Sequence, residues 1–327
     1  MAVYTHLGAE DLAALIEHYR VGALISAKGI AEGVSNSNWL IETTGPDGAG
    51  ARFILTMYER RIDLNELPFF LGLLDHLAAK GCPVPRTIHD RDNRAYRMVG
   101  EKAVALIEFL PGVSVDHPAA AQARSVGAAL AGVHLASADF AGRRANGLGL
   151  PSWRDLADDC GDTGLSSIHP DLPALVRGEL AFLQANWPET LPHAVIHADL
   201  FPDNVLMLGD AVGGLIDFYF ACNDIAAYDL AVTHAAWSFE ATGEFRPAVA
   251  AALLQGYHAV RPLSDAERAA LPVLARGAAM RFMMTRAYDW LHTPADAMVT
   301  RKDPMDFARR LRFYAERSEE AFPFTAD

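Results

Sequence analysis

Two kinds of hydrophobic periodicity divide this chain. Up to about residue 110, short apolar runs alternate with turns; beyond Pro118, apolar residues recur every three or four positions over long stretches. Leu12, Leu15, Ile16 and Tyr19 predict a first helix over 9–20. Leu24–Ile30 and Trp39–Thr43 read as strands around a polar turn at 31–38, and Arg52–Tyr58 reads as a third. The glycines of 45–50 mark an exposed turn. Apolar positions 64, 67, 70, 71, 74 and 77 predict an amphipathic helix over Leu64–Ala79, stopped by Gly81-Cys82-Pro83. Alternating segments at 86–99 and 103–109 lead to Glu108-Phe109-Leu110-Pro111-Gly112, where a strand ends in Pro-Gly. Helical patterns follow at 119–138, 152–160, 171–187, 225–239, 245–258, 265–291 and 304–320, with a Gly/Arg loop at 141–150. The pattern predicts an α+β chain of two lobes, a strand-rich N-terminal lobe over 1–110 and a helical lobe over 111–327.

Composition narrows the class of function. The 327 residues are 51% hydrophobic and 21% charged, as in a globular enzyme, and no apolar run is long enough to span a membrane. A net charge of −13 argues against a nucleic-acid surface, but a few local cations can still hold an anionic substrate in one cleft. Cys82, Cys160 and Cys222 are scattered and odd in number, which fits reduced thiols rather than a disulfide frame. The first residues carry acids where a signal peptide carries basic residues, so a cytoplasmic location is expected.

The stretch richest in chemistry is Val195-Ile196-His197-Ala198-Asp199-Leu200-Phe201-Pro202-Asp203-Asn204-Val205-Leu206, followed by Gly214-Leu215-Ile216-Asp217-Phe218. A lone His-x-Asp is usually a hydrogen-bonded turn, and a lone Ile-Asp-Phe is usually a strand end. The two together, each flanked by strand-like apolar residues, match the catalytic loop and metal-binding Asp of kinases. In that pattern Asp199 takes the proton of an attacking hydroxyl, and Asn204 and Asp217 supply hard oxygen ligands to Mg²⁺.

The same residues resemble the aminoglycoside phosphotransferase/choline kinase superfamily, a branch of the protein-kinase-like fold. Within it, Gly29–Trp39, Phe53–Glu59, the Glu66-Leu67-Pro68-Phe69-Phe70 helix start, His197–Asn204 and Lys302-Asp303-Pro304 resemble homoserine kinases of the type found in many proteobacteria. The resemblance runs over nearly the whole chain. It implies ATP as donor, Mg²⁺ as metal, L-homoserine as acceptor and a place in threonine biosynthesis. It also implies Asp199 as general base within a catalytic group of Asp199, His197 and Asn204, with Asn204 and Asp217 as metal ligands. The turn Gly33, Val34, Ser35, Asn36, Ser37, Asn38 resembles a phosphate-covering loop, though an ordinary hairpin turn remains the competing reading. Glu66 resembles the helix Glu that reaches a strand-three cation, and Glu108, Phe109 and Leu110 the adenine hinge.

Two departures stand out. Thr56 occupies the strand-three position where many relatives place Lys, so Arg60, Arg61 or Lys28 must supply the charge, or Mg²⁺ and backbone amides suffice. Ala198 stands where protein kinases have Arg. For the acceptor, Arg281 and Arg286 are candidate partners of a carboxylate, because a guanidinium offers a bidentate fit. Structural ion pairs are the competing reading. Two alternatives stay open: a kinase for another small alcohol such as choline, methylthioribose or an aminoglycoside, and a nucleotide-binding pseudokinase, which Thr56 favours and the intact Asp199, Asn204 and Asp217 oppose.

Overall fold

A computed structural model describes residues 7–30, 36–59, 63–293 and 301–323. The chain forms two compact units, Met1–Pro111 and Gly112–Asp327.

The first unit is built on an antiparallel sheet. Its elements are α1 (Ala9–Ile16), β1 (Leu24–Ile30), β2 (Asn36–Thr43), β3 (Ala51–Tyr58), α2 (Leu67–Ala79), β4 (Thr87–Ile88), β5 (Arg97–Val99) and β6 (Lys102–Glu108). Strand order is β1-β2-β3-β6-β4, with β5 also paired to β6. Alternation in β2 sends Trp39 and Ile41 into a core with Leu55 and Met57 of β3 and Leu12, Leu15 and Ile16 of α1. β6 lies inside the sheet, and its residues 103–107 are all buried, which is why it reads as a continuous apolar run. α1 stops at Ile16, short of the expected residue 20, because Tyr19 leaves the helix to bridge Asp90 and Gly22 turns the chain at φ 86°. The expected helix from Leu64 begins instead with a 3-10 turn over Leu64–Glu66. The Asp63 side chain caps that turn by accepting from Asn65 N at 2.9 Å, and Pro68 lies in the first turn of α2.

The second unit is mainly helical. It comprises α3 (Ala120–Ala136), α4 (Leu150–Ile168), α5 (Leu172–Asn186), β7 (His193–Ile196), β8 (Val205–Leu208), β9 (Ala211–Leu215), β10 (Cys222–Ile225), α6 (Ala226–Trp237), α7 (Pro247–Val260), α8 (Asp265–His292), α9 (Met305–Glu316) and α10 (Ser318–Ala321). α4 continues past the expected residue 160 by kinking at Gly161, which has φ 61°. Two short ribbons, β7 with β10 and β8 with β9, carry the loop singled out in the sequence. Every residue of α6 is buried, so it shows no polar face. Cys160 and Cys222 are buried free thiols, and Cys82 is a partly exposed one. No helix among the described residues is long and apolar enough to cross a membrane.

α3 and α7 cross at backbone distance because glycine occupies both sides of the crossing. A Cβ on Gly127 would sit 2.1 Å from Leu253 O, and one on Gly256 would sit 2.0 Å from Arg124 O. Gly256→Ala should therefore destabilise the protein despite Ala's better helix propensity. Overpacking of this kind costs about 1–3 kcal/mol against a propensity gain of about 1 kcal/mol. A fall of several degrees in Tm is expected by thermal denaturation, whereas Gly178→Ala on α5, with nothing within 4 Å of its added Cβ, should hold or raise Tm. Equal Tm values for the two variants would mean that α3 and α7 have room to separate.

Candidate active site

The β8–β9 ribbon explains why Asn204 and Asp217 meet although they lie thirteen positions apart. Val205 pairs with Leu215, and Ile216 N donates to Asn204 O at 3.0 Å, so the end of the loop and the start of the Ile-Asp-Phe segment lie side by side. Asn204 turns its amide toward the front of the loop, donating to Asp199 O at 2.8 Å and to Asp199 Oδ2 at 3.3 Å. Asp199, Asn204 and Asp217 thus converge. Asp217 takes a left-handed conformation, φ 64° and ψ 57°, and so does Ala198, at φ 65°. Such backbone costs about 1–3 kcal/mol per residue in a non-glycine and persists where neighbours hold it.

Buried partners hold Ala198 in this conformation. Asp229, in the first turn of α6, accepts from His197 N at 2.6 Å and from Ala198 N at 2.7 Å. The Ala198 carbonyl accepts from the Arg281 guanidinium, and the Leu200 carbonyl accepts from Trp237 Nε1 at 2.9 Å. Asp229 also accepts from His134 Nε2 at 3.0 Å, and His134 Nδ1 bonds the Tyr257 hydroxyl at 2.7 Å. Asp229 is fully buried. Burial alone would raise its pKa, but bonds from His134 and the loop N–H groups outweigh this and hold the carboxyl below its usual range.

His197 was a catalytic candidate; its geometry gives it another role. The ring is fully buried, donates from Nε2 to Ile216 O at 2.9 Å and accepts at Nδ1 from Asp199 N at 3.2 Å. A carbonyl can only accept and a backbone N–H can only donate, so the ring is neutral with its proton on Nε2. Burial lowers its pKa in the same sense. His197 fixes the backbone on both sides of the site, a positioning role.

Electrostatics bring the Asp199 carboxyl near neutrality. Desolvation raises its pKa to about 7, with Arg281 and Lys302 opposing and Asp217 and Asp203 adding to the rise. Poor hydration and Asp203 likewise raise Asp217. Asn204 commits its NH₂ to Asp199, so its Oδ1 is the atom left to bind a ligand, and Asp217 has no cationic partner among the described residues. One poorly hydrated carboxylate and one amide oxygen form a hard-oxygen set suited to Mg²⁺, which keeps waters and phosphate oxygens in its shell.

The two arginine candidates are both engaged. Arg281 is 2% exposed, holds the Ala198 carbonyl and lies over Phe282 at 4.6 Å. Arg286 NH1 donates to Asp303 O at 3.0 Å and to Asp306 Oδ2 at 3.1 Å, with Phe307 4.6 Å beneath the guanidinium. A structural role describes both better than a vacant carboxylate site.

In the first unit, Thr56 turns out to be a polar partner rather than a gap. It lies opposite Asn38 in the β2–β3 ladder and donates to Asn38 Oδ1 at 2.8 Å. Asn36 and Ser37 are buried at the start of β2, and Ser37 Oγ donates to Glu59 Oε1 at 2.8 Å. Glu59 in turn pairs with Lys102, a cation that sequence reasoning passed over. Gly33, Val34 and Ser35, and the cation candidates Arg60 and Arg61, lie outside the described residues. Lys28 is exposed on β1, and Glu66 ends the 3-10 turn. Arg86 takes up Glu108 through its backbone N, Nε and NH2 at 3.0–3.1 Å, while Phe109 and Leu110 follow β6 half-buried. Asp229 was missed too. Its signal was a single acid in the apolar run 225–237.

Comparison with known proteins agrees with this geometry. Residues 26–263 match the model of the phosphotransferase enzyme family. A homoserine kinase of Brucella canis is 50% identical over 97% of this chain and 95% of its own, and one of Acidiphilium cryptum is 50% identical over 98% and 99%. The solved structure of a spectinomycin phosphotransferase in complex with ADP and spectinomycin superposes with a TM-score of 0.73, covering 97% of this chain and all of its own at 13% identity, a likeness of fold. The chain belongs to the phosphotransferase enzyme family, in the group that contains these homoserine kinases.

Proposed function

We propose that this enzyme transfers the γ-phosphoryl group of ATP to the side-chain hydroxyl of L-homoserine, giving O-phospho-L-homoserine, a step of threonine biosynthesis. The observation that carries the choice of acceptor is the 50% identity to homoserine kinases over nearly the full length of both chains. The chemistry is supported by the convergence of Asp199, Asn204 and Asp217 on one loop and ribbon.

In this reading Asp199 orients the acceptor hydroxyl and takes its proton as the O–P bond forms. Asn204 and Asp217 hold Mg²⁺, which when bound neutralises charge on the phosphates. Asn204 also keeps the Asp199 carboxylate turned toward the acceptor through its amide. Nucleotide contact falls to Gly33–Asn38, Glu66, Glu108, Phe109 and Leu110 of the first unit, following the family pattern. The transition state of phosphoryl transfer is loose, so rate enhancement comes from positioning and electrostatics, and the pinned loop supplies the positioning.

Three outcomes are expected. Labelled ATP should phosphorylate homoserine at least about a hundredfold better than 3-aminopropanol, its decarboxylated analogue, because a site built around a charged group rejects a ligand lacking it. Faster transfer to choline or an aminoglycoside would overturn the choice of acceptor. Asp199→Asn preserves shape and the contact with Asn204 but removes the base. It should cut kcat by roughly 10²–10⁴ with ATP binding retained by calorimetry, and turnover within a few-fold of wild type would exclude Asp199 as the base. The third outcome concerns pH. A base must be ionised to act, and the Asp199 pKa is raised to about 7, so kcat/KM for homoserine should fall as pH drops below 7. Bound Mg²⁺ favours the anion and would move this limb to lower pH. Asp199→Asn should flatten the limb; an unchanged limb would assign the titration elsewhere.

A further inference from the structure

Homoserine is a zwitterion, and a small site must meet both of its charges near Asp199. Arg281 and Arg286 already hold backbone and carboxylate partners, so a carboxylate arriving at either would displace an existing contact. Lys302 is in a different situation. Its Nζ lies 4.0 Å from Asp203 Oδ2 and 5.9 Å from the Phe201 ring centroid, and the Lys302 and Asp203 side chains are 65% and 67% exposed. Asp203 is on the catalytic loop itself, next to Asn204 and four residues after Asp199. Both charges are felt by Asp199, with Asp203 raising its pKa and Lys302 lowering it.

A gap of 4.0 Å between two well-hydrated groups is an open ion pair. Exposed pairs contribute little to stability, so opening this one loses little. It presents one positive and one negative group side by side, the inverse of an α-amino acid's ammonium and carboxylate. Phe201, Phe282 and Phe307 pack together beside it, with Phe201 and Phe282 centroids 4.8 Å apart and Phe282 and Phe307 centroids 5.0 Å apart, giving the loop a rigid apolar flank.

We propose that Lys302 and Asp203 are the specificity residues for the acceptor, Lys302 binding the α-carboxylate and Asp203 the α-ammonium of homoserine. The proposal rests on the homoserine reading above and gives that reading its recognition chemistry. The Lys302-Asp303-Pro304 segment, which resembles the homoserine kinase group without an evident role, acquires one.

The test compares kcat/KM for homoserine, 3-aminopropanol (no carboxylate) and 4-hydroxybutyrate (no ammonium) in wild type, Lys302→Met and Asp203→Asn, with ATP KM and Tm measured alongside. Lys302→Met should reduce the preference for homoserine over 3-aminopropanol by roughly 10- to 100-fold, the size of one lost charge-assisted hydrogen bond. Asp203→Asn should reduce the preference over 4-hydroxybutyrate by a similar factor and leave the first ratio nearly unchanged. Both side chains are largely exposed, so folding should be preserved, and Tm checks this. Unchanged ratios in both variants overturn the proposal. So does a rise in ATP KM for Lys302→Met with homoserine KM constant, since that assigns the lysine to the nucleotide phosphates. Wild type without homoserine turnover would sink the functional reading itself, and wild-type turnover with unaltered selectivity would sink only the clamp.

Discussion

One buried carboxylate organises the catalytic half of this molecule. Burial keeps Asp229 from bulk solvent, and a desolvated anion persists only where donors surround it. It is fully buried, and its donors are the N–H groups of His197 and Ala198 and the imidazole of His134. Satisfying Asp229 therefore dictates the path of the loop. The loop cannot relax out of the left-handed turn at Ala198 without leaving the carboxylate uncompensated. Arg281 grips the carbonyl end of the same residue, so the peptide groups flanking Ala198 are held from two helices. In protein kinases an Arg precedes the Asp of this motif; here that residue is Ala198, and a guanidinium from α8 binds its carbonyl.

The convergence of Asp199, Asn204 and Asp217 was legible in the sequence because its logic is local: the loop and the ribbon that carries Asp217 lie within a short span of chain. The sheet and most helices were legible for the same reason, through their periodicity. Where the reading failed, a distant partner had decided the outcome. Tyr19 looked like the last turn of a helix, but Asp90, far along the chain, draws its backbone into a bridge. Arg281 and Arg286 looked like ligands for a carboxylate because a helical position does not reveal what an arginine faces. Thr56 looked like a missing cation, yet its hydroxyl satisfies Asn38 on the neighbouring strand. His197 had the identity of an acid–base residue, and only its two backbone partners show a structural one.

Charge is distributed to keep the site anionic and underhydrated. Burial raises the proton affinity of Asp199 and Asp217, Asp203 adds to both and Asp217 adds to that of Asp199, and Arg281 and Lys302 offset the rise at Asp199 only in part. Such a cluster favours the arrival of positive charge, whether a divalent ion or an ammonium group. The acidic character of the whole chain, −13, is consistent with a donor that comes accompanied by metal.

The tautomer of His197 has a consequence for acid stress. A proton added to the ring can go only to Nδ1, which already faces the N–H of Asp199. Two donors would then oppose each other inside a dry core, and the lowest-energy escape is to swing the Asp199 peptide away. Because burial holds the ring's pKa below its usual range, the latch stays closed in mild acid, and only stronger acid would unlatch this peptide group.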